Sequence, residues 1–270
     1  MQRILVDSWI VRWSDNGKPA AIYNKGDVQR EVIMALTELW ANSKEQLIEK
    51  QVHQVIAFAG TGKLLDGSVA SREYREYLSH VPSDFLRRYA EECLTIKFED
   101  NGLALQDIIN EVGRRLEFGV VDGRYRGTAG TNIGFDGIWR SSKGHAIIVE
   151  VKTTDVYQIN LSTIVGYRRA LVKSGEANEK QSSILIIVGR KGTDDLEAQI
   201  RGSRHAWDVR LISVEALFRL LDLKEAVENP QIVGKICDIL LPQEFTKVDG
   251  IIDLVFSAAE EYKLKKMQPI

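Results

Sequence analysis

The chain has 270 residues, 44% of them hydrophobic and 27% charged, and a net charge of −2 at pH 7. Such a length buries a substantial core, in one large domain or two small ones, and the composition excludes a disordered or low-complexity protein. A near-neutral charge argues against a protein that coats nucleic acid indiscriminately, although it leaves room for a local basic cleft. No run approaches the roughly 18–20 apolar residues of a membrane helix, and the first residues lack a signal-type apolar stretch, so the expectation is a cytoplasmic protein with no membrane partner. Cys93 and Cys237 stand alone with no CxxC pair, which argues against structural zinc and reads as two small hydrophobes in helices.

The first hundred residues read as mixed but mostly helical. Residues 27–42 open on Asp27, suited to capping, and carry Val32, Ala35, Leu36 and Leu39 at helical spacing. Residues 70–96 continue as helix with a break near Pro82. The segment AGTGKLLDG (59–67) has the flavour of a phosphate loop but misses the GxxxxGK[ST] spacing. Leu64 stands where a hydroxyl would be needed, so it reads as a turn.

The middle of the chain says more. Residues 103–116 place Leu105, Ile108, Ile109, Val112 and Leu116 on one helical face. EFGVVDGRY (117–125) reads as a strand entering a turn, followed by the Gly/Thr-rich GTAGTN (127–132). IGFDGIW (133–139) alternates as a strand, RSSKG (140–144) turns, and HAIIVEVK (145–152) is apolar enough to be central in its sheet. A helix over 160–173, with Asn160 suited to its cap, precedes the buried strand SILIIVG (183–189). A helix over 194–206 and a strand VRLIS (209–213) follow, and from 214 onward the chain returns to helix, with a break at Pro242. The expected fold class is α/β: a mixed central sheet with flanking helices in αβββαβ order, plus helical N- and C-terminal regions. The expected divisions are 1–100 for recognition or dimerisation, 101–213 for the core and 214–270 for a helical tail.

Chemistry concentrates at Asp136 and Glu150-Val151-Lys152. A hairpin brings the two acids to neighbouring strands, and residues 150 and 152 leave the same face of theirs. Two hard carboxylates suit Mg²⁺, and the Val151 carbonyl is a further oxygen donor if strand geometry holds. A metal there would polarise a phosphodiester, while an adjacent lysine would orient or deprotonate water and stabilise developing charge. An acid-x-lysine pair alone is common by chance. What lifts this one is the preceding apolar run, which presses both charges toward a core edge where unpaired charge is costly.

D136-x13-E150-V-K152, within helix–strand–strand–strand–helix–strand order over roughly residues 103–190, resembles the PD-(D/E)XK nuclease superfamily, which includes most type II restriction enzymes and archaeal junction resolvases. Phe135 replaces the usual proline before the first acid. Gln158 and Tyr167 lie too far apart for the Q-x-x-x-Y of RecB-like exonucleases, which favours an endonuclease. The resemblance implies a Mg²⁺-dependent enzyme (Mn²⁺ substituting) with Asp136 and Glu150 as ligands and Lys152 as catalytic lysine. It also points to Glu111, on the helix before the first strand, as a further catalytic acid, although Arg115 four residues on offers it a plain ion pair. By the same analogy the partner is double-stranded DNA, the assembly a homodimer and the role restriction or defence.

Arg114, Arg124, Arg126, Arg140 and Lys143, interleaved with Tyr125 and Trp139, together with Arg201 and Arg204, form the candidate DNA-contact set. His205 reads as a helix-end cap more than as a second base. Three rival functions remain open at this level: a structure-specific repair nuclease or junction resolvase, a non-catalytic DNA-binding subunit that keeps the fold, and a generic α/β interaction protein in which the motif is accidental.

Overall fold

The computed structural model describes residues 4–6, 9–13, 19–24, 28–125, 134–153, 159–189, 193–227 and 229–241, with 255, 257 and 259. The chain divides into two compact units, Met1–Val81 and Pro82–Ile270.

The first unit opens with three antiparallel strands, β1 (Ile4–Val6), β2 (Trp9–Trp13) and β3 (Pro19–Asn24), in that order in a small sheet. The sequence reads as mixed but mostly helical and assigns none of these strands. Strands of three to six residues carry little periodic signal. Helices α1 (Val28–Ser43), α2 (Glu45–Ile48), α3 (Val52–Phe58) and α4 (Val69–His80) follow, with α1 against α4. Residues 59–67 are a turn, as expected. Gly60 N–H donates to the Glu73 carboxylate at 2.9 Å, so an internal acid takes an amide that a phosphate loop would offer to its ligand.

The second unit is built on a five-stranded sheet. Helices α5 (Ser83–Thr95) and α6 (Asn101–Arg115) precede strands β4 (Gly119–Asp122), β5 (Gly137–Arg140) and β6 (Ala146–Lys152). Then come α7 (Leu161–Ser174), β7 (Ser182–Val188), α8 (Asp194–Arg201), β8 (Val209–Ser213), α9 (Val214–Ala226) and α10 (Pro230–Asp238). The sheet order is β4-β5-β6-β7-β8; β4, β5 and β6 pair antiparallel, and β6, β7 and β8 parallel. This is an α/β fold with the expected order, and β6 is the middle strand. Its first four residues, Ala146 to Val149, are fully buried, as is all of β7, which is what an apolar run covered on both faces requires. Ile148, Ile164, Ile184, Ile186 and Val188 join one core cluster between sheet and α7. Asn160 caps α7 by accepting Thr163 N–H at 3.2 Å.

Helix α6 is more deeply embedded than an amphipathic helix need be. Its apolar face is buried, and so are Gln106, Asp107, Asn110 and Glu111. Cys93 is buried in α5, and Cys237 in α10 donates its thiol to the Leu116 carbonyl at 2.9 Å. No helix among the described residues is long and apolar enough to cross a membrane.

A candidate two-carboxylate site at the end of β6

The expected strand over 133–139 begins only at Gly137, so Asp136 sits in the bend that leads into β5. Its backbone and one carboxylate oxygen are all engaged. The N–H donates to the Val149 carbonyl at 3.1 Å, and the carbonyl accepts from Gly123 N–H at 3.0 Å and from Asn110 Nδ2 at 2.9 Å. Oδ2 accepts the Val151 amide at 2.7 Å, which ties the side chain to the next strand. Asn110 completes the bracket by accepting the Trp139 indole N–H at 3.0 Å, inside the protein. A Cβ at residue 137 would lie 2.2 Å from Asn110 Oδ1, so this approach of α6 to β5 demands glycine there.

Glu150, 8% exposed, points from β6 toward the same place, and Lys152 Nζ donates to its Oε1 at 2.5 Å. Burial raises the Asp136 carboxyl, and the Glu150 charge raises it further. The Val151 amide and the Lys152 ammonium pull the other way, and the balance leaves it at about 7. Burial alone would lower the Lys152 ammonium, but the hydrogen bond and charge of Glu150, with the charge of Asp136, outweigh this and hold it above its ordinary value. Lys152 is therefore a cation here.

A fourth group belongs to the neighbourhood. Tyr167, on α7, packs partly buried against the core, and its phenol is raised by burial and by the Glu150 carboxylate. Its distance from Gln158 in sequence gave no hint of this. The available signal was instead that a helix crossing between β6 and β7 lies over the end of β6.

The other candidates separate. Glu111 is buried but held by Arg115 at 3.2 Å and Arg114 at 3.7 Å. Arg114 also binds Asp122 at 2.6 Å, beside the acid end of the sheet because Asp122 pairs with Gly137. Arg124 is exposed just beyond it. Arg126 lies outside the described residues. Arg140 donates to the Glu176 carbonyl at 2.9 Å and Lys143 to Asp238 at 2.5 Å, both near the hairpin at the opposite end of β6. Arg201 ends α8 and Arg204 lies between it and the start of β8, again at that opposite end. His205 lies in the turns after α8, four residues beyond its last helical residue, and not at its cap.

Among the described residues no group of three or more His, Cys, Asp or Glu side chains forms a metal cluster. The oxygen set at Asp136 is of a different kind. Two carboxylates crowd one another enough to raise one of them to about 7, and a single ammonium compensates. The Val151 N–H faces Asp136, and a strand residue sends its N–H and C=O to the same side, so the Val151 carbonyl faces that way too. Hard oxygens with excess negative charge suit a divalent cation of the Mg²⁺ type.

No protein-family model and no curated protein matches the sequence. Among solved structures the chain is similar to a restriction endonuclease. That structure is PspGI in complex with its substrate DNA, 11% identical, with a TM-score of 0.31, over 87% of this chain and 92% of that one.

Proposed function

We propose that this chain is a Mg²⁺-dependent DNA endonuclease that hydrolyses phosphodiester bonds at the Asp136–Glu150–Lys152 site, in a restriction or defence role. The observation that carries this reading is the pairing of two mutually repelling carboxylates on adjacent segments of the sheet with one lysine bound to Glu150.

Asp136, Glu150 and the Val151 carbonyl would hold the cation, which supplies Lewis acidity to the scissile phosphate when bound. Asp136 and Glu150 then lose their mutual repulsion. Lys152, kept protonated by its neighbours, donates hydrogen bonds: it fixes Glu150 and faces the charge that builds on the phosphate as water attacks phosphorus and the P–O3′ bond breaks. The attacking water gives up its proton to solvent, and the departing 3′-oxygen takes one from solvent. The Tyr167 phenol stays protonated beside the site and can donate to an incoming phosphate oxygen. Arg114 and Arg124 lie at the end of the sheet where the DNA backbone would arrive.

The test is digestion of supercoiled plasmid and phage DNA with Mg²⁺ and with EDTA, by the wild type, Asp136→Ala and Lys152→Ala, with branched DNA as a third substrate. Cutting that needs Mg²⁺ and falls about 100-fold or more in both variants supports the assignment. Discrete fragments indicate sequence-specific cleavage, and cutting confined to branched DNA indicates a junction enzyme. A wild type that binds DNA but leaves all three forms intact would make the chain a binding subunit and overturn the catalytic assignment.

A further inference from the structure

We infer that the surface between α8 and β8 is a second nucleic-acid site, which stacks unpaired bases of a DNA strand on Trp207 and holds its phosphates with Arg201, Arg204 and Arg210. It lies far from the carboxylates. Val209 aligns with Ile184 of β7, which aligns with Ile148 of β6, so Trp207 falls at the opposite end of the parallel strands from Lys152 and two strands across. The separation is on the order of 20 Å.

Trp207 is 73% exposed, the most exposed of the large hydrophobic side chains described. It lines a cavity of about 480 Å³ with Ile200, Leu211, Arg201 and Arg210. Arg201 is three-quarters exposed, and its contact with Glu197 is long, at 3.9 Å. Arg204 reaches back to His205 at 3.2 Å. Partial burial and then the charges of Arg204 and Arg169 lower the His205 imidazole; Asp208 opposes them but is itself paired with Arg168 at 3.1 Å.

An exposed indole in a cavity that Arg201 and Arg210 also line matches a nucleotide: the indole takes the π-face of a base, and guanidinium groups take phosphate. Arg201 ends α8, Arg204 follows it and Arg210 lies in β8, more guanidinium groups than one phosphate requires, which favours a strand over a free nucleotide. An intact duplex keeps its base faces covered, so the occupant is single-stranded. A second copy of the chain docking through the same patch would bring the two sets of arginines together with only Glu197 of each to offset them. The choice of DNA rests on the nuclease reading above; the nucleotide chemistry does not.

The experiment measures binding of a fluorescein-labelled single strand, the matching duplex, a mononucleotide and an acidic peptide to the full chain in EDTA, by anisotropy. Trp207→Ala should weaken single-strand binding about 10-fold and Trp207→Phe should retain it. Joint Arg201→Ala and Arg204→Ala substitution should flatten the dependence of log affinity on log salt by about 1.4, roughly 0.7 for each phosphate that an arginine no longer neutralises. Unchanged binding in Trp207→Ala overturns the inference. So does a mononucleotide that binds as tightly as the strand, or Trp207-dependent binding of the peptide alone. If the wild type cleaves nothing with Mg²⁺ yet Trp207 governs strand binding, the nuclease assignment fails and this site stands; cleavage with Trp207→Ala binding unchanged is the reverse.

Discussion

At Asp136 burial and the Glu150 charge both disfavour the ionised carboxyl, which has consequences for the metal-free protein. The group titrates at about 7 when folded against 3.8 for the free side chain, so the folded state holds an extra proton between those values. Stability at this position is full below about pH 4 and falls as pH rises toward about 7. Asp136→Asn should therefore raise the melting temperature of the metal-free protein at pH 8, at about 2–4 °C per kcal/mol, and change it little at pH 4; thermal unfolding at both pH values checks this. Lys152 is the counterpart. Its removal leaves Glu150 buried without its cation, so Lys152→Met should destabilise, and Glu150→Gln in the same chain should recover part of that destabilisation. The coupling in that double-mutant cycle should be roughly 1 kcal/mol, because the lysine side chain is 34% exposed and water screens it. Asn110→Ala would strip the Trp139 indole and the Asp136 carbonyl of a buried partner, a cost of roughly 2–4 kcal/mol in denaturant unfolding.

At the scale of elements, α6 fits closely against β5 beside the site. A Cβ on Gly113 would lie 2.5 Å from the Trp139 ring, and the Gly137 backbone touches Asn110. Gly113→Ala should destabilise by roughly 1–3 kcal/mol through overpacking, despite alanine's better helix propensity, and Trp139→Phe beside it should relieve part of that; urea midpoints of the two proteins decide. This fit also marks where the sequence stopped being informative. The apolar runs of β6 and β7 and the apolar face of α6 were readable because burial on one side or both leaves a periodic trace. The polar side of α6 left none, since Gln106, Asp107, Asn110 and Glu111 look like solvent-facing residues until the fold supplies partners. Asp136 was legible as an acid at the right spacing, but not as a bend residue. Its amide and carbonyl are taken by Val149, Gly123 and Asn110, which come from three separate parts of the chain. Tyr167 comes under the charge of Glu150 through the path of α7, which sequence spacing does not encode.

Across the whole molecule, a net charge of −2 leaves room for local clusters: Asp136 and Glu150 with Lys152 at one end of the sheet, and Arg201 and Arg210 beside Trp207 at the other. On the proposed function, simultaneous cutting of both strands of a duplex would take two such Asp136–Glu150–Lys152 sites, and so two chains. The expectation is a species of twice the chain mass on DNA in sedimentation velocity, with monomer-only binding predicting nicks in place of double-strand breaks. The position of β6 carries one more consequence. Glu150 and Lys152 lie on the middle strand, paired through to β7, and the Gly189 amide closes on the Lys152 carbonyl at 2.9 Å. Amide protons along this strand should be among the last to exchange with solvent deuterium, because opening it means opening the sheet. Heat should then abolish cleavage only as the sheet unit itself melts, with no earlier inactivation step.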